Sequence, residues 1–291
     1  MPPIDASQPH SLVYLATCRD LPDGEPSCGG LNAALHQLNI DVRWVIWDDP
    51  SVDWALAALV AARSVWDYQT KIPVFRTWID ALGTKLLHGG SAMHWNASKA
   101  YLLELAAAGV DIVPTTYATT IAEVHIALQQ TSKSVVKPAI GASGIGVQVV
   151  DGLPCNTWIP KMEGPWIVQP FVADVLTEGE IAVYIIDGQV TVQLAKKVAA
   201  GEFRVHEEYG GRMVRTLVTA EAETVARRAY AAAEKILGVR LRYARVDLLR
   251  YQGCLVLSEL EITEPSLEFD IAPEHAGRFA AMIRNVLDHG P

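Results

Sequence analysis

The chain has 291 residues, half of them hydrophobic, and a formal net charge of −9. That length supports a large core and two or three lobes, and the acidic balance, with no basic stripe or Arg-rich run, argues against a nucleic-acid partner. The four cysteines, Cys18, Cys28, Cys155 and Cys254, show no CxxC pair or zinc spacing, so reduced thiols in a cytoplasmic protein are expected.

The opening Met-Pro-Pro-Ile-Asp lacks the basic and apolar regions of a signal peptide. The longest apolar run, near Trp54 to Trp66, is broken by Arg63 and too short to span a bilayer, so no membrane partner is expected. Ser11 to Thr17 reads as a buried strand, Cys18 to Gly30 as an Asp-, Pro- and Gly-rich loop, Leu31 to Leu38 as a helix and Val42 to Trp47 as a second strand. That order predicts a parallel α/β lobe, in which ligands bind outside the carboxyl ends of the strands. The Cys18–Gly30 loop and the pair Arg63 and Asp67, near another strand end, are therefore candidate substrate contacts; an internal ion pair is the competing account of Arg63 and Asp67. Asn96 suits the N-cap of a helix from Ala97 to Ala108, with Gly109 as its C′ residue. Lys99 then falls in the first turn, unfavourable against the helix dipole unless an anion holds it; a solvated lysine is the plainer account.

Ser134 to Pro138 reads as a strand that runs into Ala-Ile-Gly141-Ala-Ser143-Gly144-Ile145-Gly146 and out into a second β-rich run. Glycines let backbone N–H groups turn toward one anion, and Lys137 adds a point charge where phosphate oxygens would lie. The spacing is neither that of a Walker loop nor that of a dinucleotide fingerprint. The apolar strand from Pro165 to Val172 ends in a proline-stiffened connection. Gln169, Pro170, Phe171 and Val172 can read an adenine there, flanked by Ile167 and Phe171; core strand and turn is the alternative. Glu178-Gly-Glu180 leads into a hairpin through the type I′ signal Asp187-Gly188, and its return strand ends at Lys196-Lys197. Gly201 to Gly211 mixes charged and aromatic residues, as a phosphate or substrate loop does and as a mobile surface loop also does. Thr219 caps an amphipathic helix closed by Gly238, expected to pack on the next hairpin through Val246, Leu248, Val256 and Leu260. A last helix, Ala272 to Leu287, reads as structural.

That next hairpin carries the most chemistry. Arg245 to Arg250 is one side of a hairpin and the stretch from Cys254 to Leu267 the other, joined by a Tyr251-Gln-Gly253 turn. Alternation places Glu259 and Glu261 on one face, where Asp247 can join them across the turn. Three carboxylates on one face repel unless something positive lies between them. Hard cations such as Mg²⁺ take oxygen ligands of this kind and share them with phosphates. A solvated face with salt bridges to Arg245 or Arg250 is the alternative.

Together, Asn96…Lys99, Val-Val-Lys137-Pro with its Gly-rich loop, Val-Gln169-Pro-Phe-Val, Gly201-Glu-Phe-Arg204…Gly210-Gly211, Val-Asp247 and Glu259-Leu-Glu261 resemble the ATP-grasp superfamily, in the family's order, from about Asn96 to Leu267. Gly-Glu-Phe-Arg…Gly-Gly looks like the ribosomal-protein glutamate ligases and bacterial glutathione synthetases. Glu-Leu-Glu-Ile-Thr-Glu264-Pro-Ser266-Leu, with Arg-Ser-Val-Trp-Asp-Tyr and Trp95-Asn96, looks closer to the branch that holds the O-ureidoserine cyclo-ligase of cycloserine biosynthesis.

The resemblance implies an α/β protein of the ATP-grasp fold: an N-terminal parallel α/β domain over 1–94, a central lobe with the Gly-rich loop over 95–172, and a C-terminal lobe with the metal site over 173–291, the last two gripping ATP. It implies that Lys99 and Lys137 contact ATP phosphates and that Gly141, Ser143, Gly144 and Ile145 close over them. Gln169, Pro170, Phe171 and Val172 would form the adenine hinge, and Glu178 or Glu180 would hold the ribose or the exocyclic amine. Asp247, Glu259 and Glu261 would bind two Mg²⁺ ions, with Mn²⁺ able to substitute. Arg204 and Lys196 would serve the transferring phosphate and the substrate, and Arg63, Asp67 and Ser266 the substrate pocket. Two departures stand out: the third metal position holds Glu261 where the glutamate ligases have Asn, and Ala182 stands where they often carry an arginine. The activity implied is ADP-forming ligation of a small carboxylate to an amine, or the same chemistry closing a ring within one molecule. A non-catalytic nucleotide binder is the alternative of another class. Homodimerisation is common among such proteins, though no motif here carries it.

Overall fold

A computed structural model describes residues 11–152 and 158–290; Cys155 and the opening Met-Pro-Pro-Ile-Asp lie outside them. Among the described residues, Cys18, Cys28 and Cys254 are free thiols, and no helix is long and apolar enough to cross a membrane. The chain divides into two compact units. One is Met1–Gly90 together with Glu264–Pro291, and the other is Ser91–Thr263.

In the first unit β1 (Ser11–Thr17) lies between β2 (Ile40–Ile46) and β3 (Leu59–Ser64), parallel to both. A central parallel strand is covered on both faces, which is why Val13 to Ala16 is a continuous buried run. Helix α1 (Gly29–Gln37) packs against α7 (Glu274–His289), where the Arg284 guanidinium donates to the Leu38 carbonyl at 2.5 Å. The last helix is thus structural, but it belongs to the first unit and not to a lobe running from 173 to 291. Helix α2 (Ile72–Leu82) brings Phe75 and Trp78 against Trp47, with ring centroids 5.3 and 6.0 Å away.

The second unit contains two antiparallel sheets. One has the order β4-β7-β5-β6, from β4 (Thr116–Ala118), β7 (Trp166–Pro170), β5 (Lys133–Pro138) and β6 (Gln148–Asp151). The other runs β10-β9-β8-β11-β12, from β10 (Arg212–Thr216), β9 (Gln189–Lys197), β8 (Glu180–Ile186), β11 (Tyr243–Tyr251) and β12 (Cys254–Glu261). Both sheets lie in the one unit Ser91–Thr263, where separate lobes over 95–172 and 173–291 were expected. Helix α6 (Ala220–Leu237) starts where Thr219 Oγ1 accepts from the Ala222 N–H and stops at Gly238, which is left-handed at φ 66°. Its alanine stripe, Ala222, Ala226, Ala229 and Ala233, lies in one core with Val246, Leu248, Leu255, Leu257 and Leu260.

Two local expectations are overturned. Asn96 does not cap a helix; it is the last residue of α3 (Gly89–Asn96), and α4 begins only at Tyr101 (Tyr101–Ala107). Its amide instead clamps the end of β12. Nδ2 donates to the Leu260 carbonyl at 2.7 Å, and Oδ1 accepts from the N–H groups of Ile262 and Thr263 and from the Thr263 hydroxyl. Val256, for its part, faces away from α6. The register pairs Asp247 with Glu259 but Leu248 with Leu257, so Ser258 is an extra residue, a β-bulge. The bulge reverses the alternation, turns Leu255 and Leu257 toward α6, and places Val256 with Val113 and Val172.

Asn96→Ala leaves several buried backbone groups unpaired, which lowers the unfolding free energy by about 3 kcal/mol. Urea denaturation reads this as a lower midpoint; an unchanged midpoint contradicts the clamp.

Candidate active site

The five-stranded sheet has one face on α6 and one face turned to the chemistry. Register gives the second face directly: Asp247 lies opposite Glu259 and beside Ala182, Arg245 lies opposite Glu261 and beside Tyr184, and Glu180 lies opposite Lys196. The three carboxylates grouped by alternation alone do share a face. The bulge at Ser258 is what keeps Val256 on that face as well, level with Leu249.

Each acid on this face meets a cation. Lys137 Nζ donates to Glu259 Oε1 at 2.7 Å, and Lys99 Nζ lies 3.4 Å from Glu259 Oε2. Lys196 Nζ bridges Asp247 at 2.9 Å and Glu180 at 3.0 Å. Arg245 donates to Asp247 at 2.9–3.0 Å and also to Glu261. Both accounts of the hairpin therefore meet here: the carboxylates do pair with Arg245, and they do so buried rather than solvated. Arg250, the other candidate, is engaged outside the cluster with Glu178 and Glu221.

These pairings set the ionisation of the acids. Burial works to raise the Glu259 carboxyl, but Lys137 and Lys99 outweigh it and hold it well below the usual carboxylate range. Burial likewise opposes ionisation of Asp247, and Arg245 with Lys196 reverses the outcome and lowers it. For Glu261 burial wins over Arg245 and the carboxyl is raised. For Glu180 burial also wins, against Lys196, and pushes the carboxyl up to about 7.

Lys99 and Lys137 come from the side of the four-stranded sheet. Lys137 is the penultimate residue of β5. Lys99 precedes α4, where its N–H donates to the Ala139 carbonyl at 2.7 Å and its Nζ to the Gly141 carbonyl at 2.8 Å. It is therefore no first-turn lysine but a brace for the Gly-rich loop. In that loop Ser143 and Gly144 are left-handed, at φ 52° and 65°, while Ile145 is exposed. A Cβ on Gly144 would lie 3.2 Å from Arg204 Cδ and 3.3 Å from His206 Nδ1, so the loop lies directly against the Gly201–Gly211 segment. Arg204 is held bidentately by Glu202 and lies over the Tyr209 ring, 3.4 Å from its centroid.

The hinge is partly structural. Gln169 is buried and donates to the Thr115 hydroxyl at 2.9 Å, and Val172 joins Val113 and Val256 in an apolar cluster. Pro170 ends β7. Phe171 stacks edge-on with Phe203 at 6.2 Å and carries Lys133 Nζ over its ring. Ile167, expected beside an adenine, is fully buried in the core with Ala139 and Leu102. Glu178 is exposed on the Arg250 side, which leaves Glu180 as the acid on the site face. Two side chains that the sequence did not place near these groups are Val256, turned there by the bulge, and His206, whose ring lies against Gly144.

The proposed substrate residues lie in the first unit. Arg63 is fully buried and pairs with Glu25 through Nε at 2.9 Å and Nη2 at 2.7 Å, and it donates to the Pro265 carbonyl at 3.2 Å. The internal-ion-pair account holds for it, with Glu25 as partner instead of Asp67, and a buried, engaged guanidinium is no substrate contact. Asp67 accepts from Trp47 Nε1 at 2.6 Å and from Lys71 Nζ at 2.7 Å. Ser266 Oγ accepts from the Glu268 N–H at 3.4 Å.

Among the described residues no three acidic, His or Cys side chains converge into a cage for a metal ion on their own. That pattern still fits Mg²⁺, which is bound through one or two carboxylates plus substrate phosphates more often than by an all-protein cage. The donors present are hard oxygens on a single face, and the lysines beside them are of the kind that bind phosphate. Glu259→Gln removes the carboxylate whose two oxygens face Lys137 and Lys99, and turnover falls by roughly 100-fold or more while circular dichroism shows the fold intact. Near-normal turnover in that variant contradicts the assignment.

With this geometry in view, comparison with known proteins is specific. Residues 13–88 match the model of the D-cycloserine synthetase DcsG N-terminal domain. The chain is 28% identical over 267 residues to the cycloserine biosynthesis protein DcsG of Streptomyces lavendulae, covering 85% of this chain and 89% of that one. The crystal structure of D-cycloserine synthetase DcsG superposes with a TM-score of 0.84 at 26% identity, covering 95% of this chain and all of that one. The ATP-grasp ligase PsnB, in complex with a precursor variant, Mg and ADP, superposes with a TM-score of 0.63 at 15% identity, covering 94% and 98% of the two chains, and so shares the fold. The chain has the fold of the ATP-grasp ligases and is similar over most of its length to the D-cycloserine synthetase DcsG.

Proposed function

We propose that the acid activated by this ATP-dependent, ADP-forming ligase is small and amino-acid-like, and that it is handed to an amine as an acylphosphate. A carboxylate does not react with an amine directly, because its leaving group would be oxide; phosphorylation supplies a good one. The observation that carries the reading is the meeting of Lys137 and Lys99 with Glu259 between the two sheets. A carboxylate and a terminal phosphate repel, and a cluster with matched acids and bases lets both approach.

Asp247, Glu259 and Glu261 would hold Mg²⁺, in our reading two ions, with Mn²⁺ able to substitute. When bound, the metal neutralises charge on the transferring phosphate. Lys99 and Lys137 shift from Glu259 to phosphate oxygens. Gly141, Ser143, Gly144 and Ile145 close over them and exclude water, which would otherwise hydrolyse the acylphosphate. Gln169 to Val172 presents backbone groups to the adenine, with Val256 beneath, and Glu180 takes the ribose. Lys196 and Arg204 orient the substrate and the transferring phosphate. In-line phosphoryl transfer asks for positioning and charge, not for a protein nucleophile. Asp67 and Ser266 remain the proposed substrate contacts in the first unit.

The similarity to DcsG supports a second reading, ring closure within one substrate, since it extends over 89% of that protein and includes the N-terminal domain. Both readings share one test. ADP release in the presence of Mg²⁺ and a panel of D- and L-amino acids and O-ureidoserine depends on the acid, and hydroxylamine traps a hydroxamate. Ring closure further gives a cyclic product from a single acid with no amine added. Failure of every acid in the panel to stimulate ADP release contradicts the ligase assignment.

A further inference from the structure

His206 sits in the Gly201–Gly211 segment with its ring against the Gly-rich loop: a Cβ on Gly144 would lie 3.3 Å from Nδ1 and 3.4 Å from Cε1. The ring meets Tyr209 edge-on, with centroids 6.3 Å apart at 82°. Its Nδ1 is buried, and among the described residues no hydrogen bond reaches it. A buried imidazole nitrogen without a partner is costly and calls for an occupant. The nearby acids are already engaged, Glu259 by Lys137 and Lys99, Asp247 by Lys196 and Arg245, Glu261 by Arg245 and Glu180 by Lys196. Burial disfavours the charged imidazole, and Lys196 and Arg245 add to this, while Glu259 and Glu208 oppose it. Burial and the neighbouring cations thus favour the uncharged ring, which lies beside the Gly-rich loop.

The second half of the reaction needs such a group. An amine that has attacked an acylphosphate carries a proton it must lose. We propose that His206 is a catalytic residue of this second half, its Nδ1 accepting a hydrogen bond and then the proton from the attacking amine. The nitrogen lone pair forms the C–N bond, the C–O bond to phosphorus breaks with its electron pair leaving on phosphate, and the amine proton passes to Nδ1. The inference rests on the ligase reading above and adds a role that the phosphate and metal residues do not fill.

The partial reactions separate the two. With the same acid panel, His206→Ala keeps acid-dependent ADP release trapped by hydroxylamine, a small nucleophile whose weakly basic nitrogen gives up its proton to water without a base, to within about twofold, whereas amide or cyclic product falls by about 100-fold. His206→Asn, which keeps a hydrogen-bonding atom near the Nδ1 position but cannot take the proton, recovers KM for the amine but not kcat. ADP affinity by calorimetry stays within about twofold in both variants, as expected for a group assigned to the amine and not to the nucleotide. A parallel fall of hydroxamate and product, or no fall in either, overturns the role of His206. Absence of acid-dependent ADP release in the unaltered protein is instead the failure of the ligase reading and removes the basis for both.

Discussion

Charge balance on one face of the five-stranded sheet governs this structure. Glu180, Asp247, Glu259 and Glu261 are met there by Lys99, Lys137, Lys196 and Arg245. Buried charges persist only when paired, so neither set could be kept without the other. A nucleotide carrying its divalent ions is itself close to neutral. In the proposed function, exchange would be the inexpensive way to load the site: the lysines would move from carboxylate to phosphate, and Asp247, Glu259 and Glu261 would hold the metal. A site with acids alone would repel the nucleotide, and one with lysines alone would repel the metal.

The two departures from the glutamate ligases become one arrangement in this light. Ala182, in place of an arginine, lies beside Asp247 in the register. The cation comes instead from Arg245 on the next strand, which binds both Asp247 and the extra carboxylate at Glu261. One arginine therefore serves two carboxylates, Asp247 and Glu261, on this face.

Much of this was legible in the sequence because period and capping are local. The strand at Ser11–Thr17, the helix from Thr219 to Gly238 and the shared face of Glu259 and Glu261 follow from residue spacing alone. What escaped depends on partners far along the chain. Asn96 looks like a cap because Asn caps helices, yet its amide is spent on residues 260–263. Val256 was misplaced because a bulge inserts one residue without any mark in the local pattern. Arg63 looked available at a strand end, but Glu25 in the preceding loop takes it. Helix α7 joins the first unit through α1, a contact that no spacing rule reveals.

The exchange of cation partners is tested most directly by calorimetric titration of ADP with and without Mg²⁺. The account predicts affinity at least tenfold tighter with the metal in the unaltered protein, about 1.4 kcal/mol, and little metal dependence once Glu259 and Glu261 are both changed to glutamine. Equal affinity with and without Mg²⁺ in the unaltered protein would contradict it, because the acidic face would then hold no metal in the presence of nucleotide.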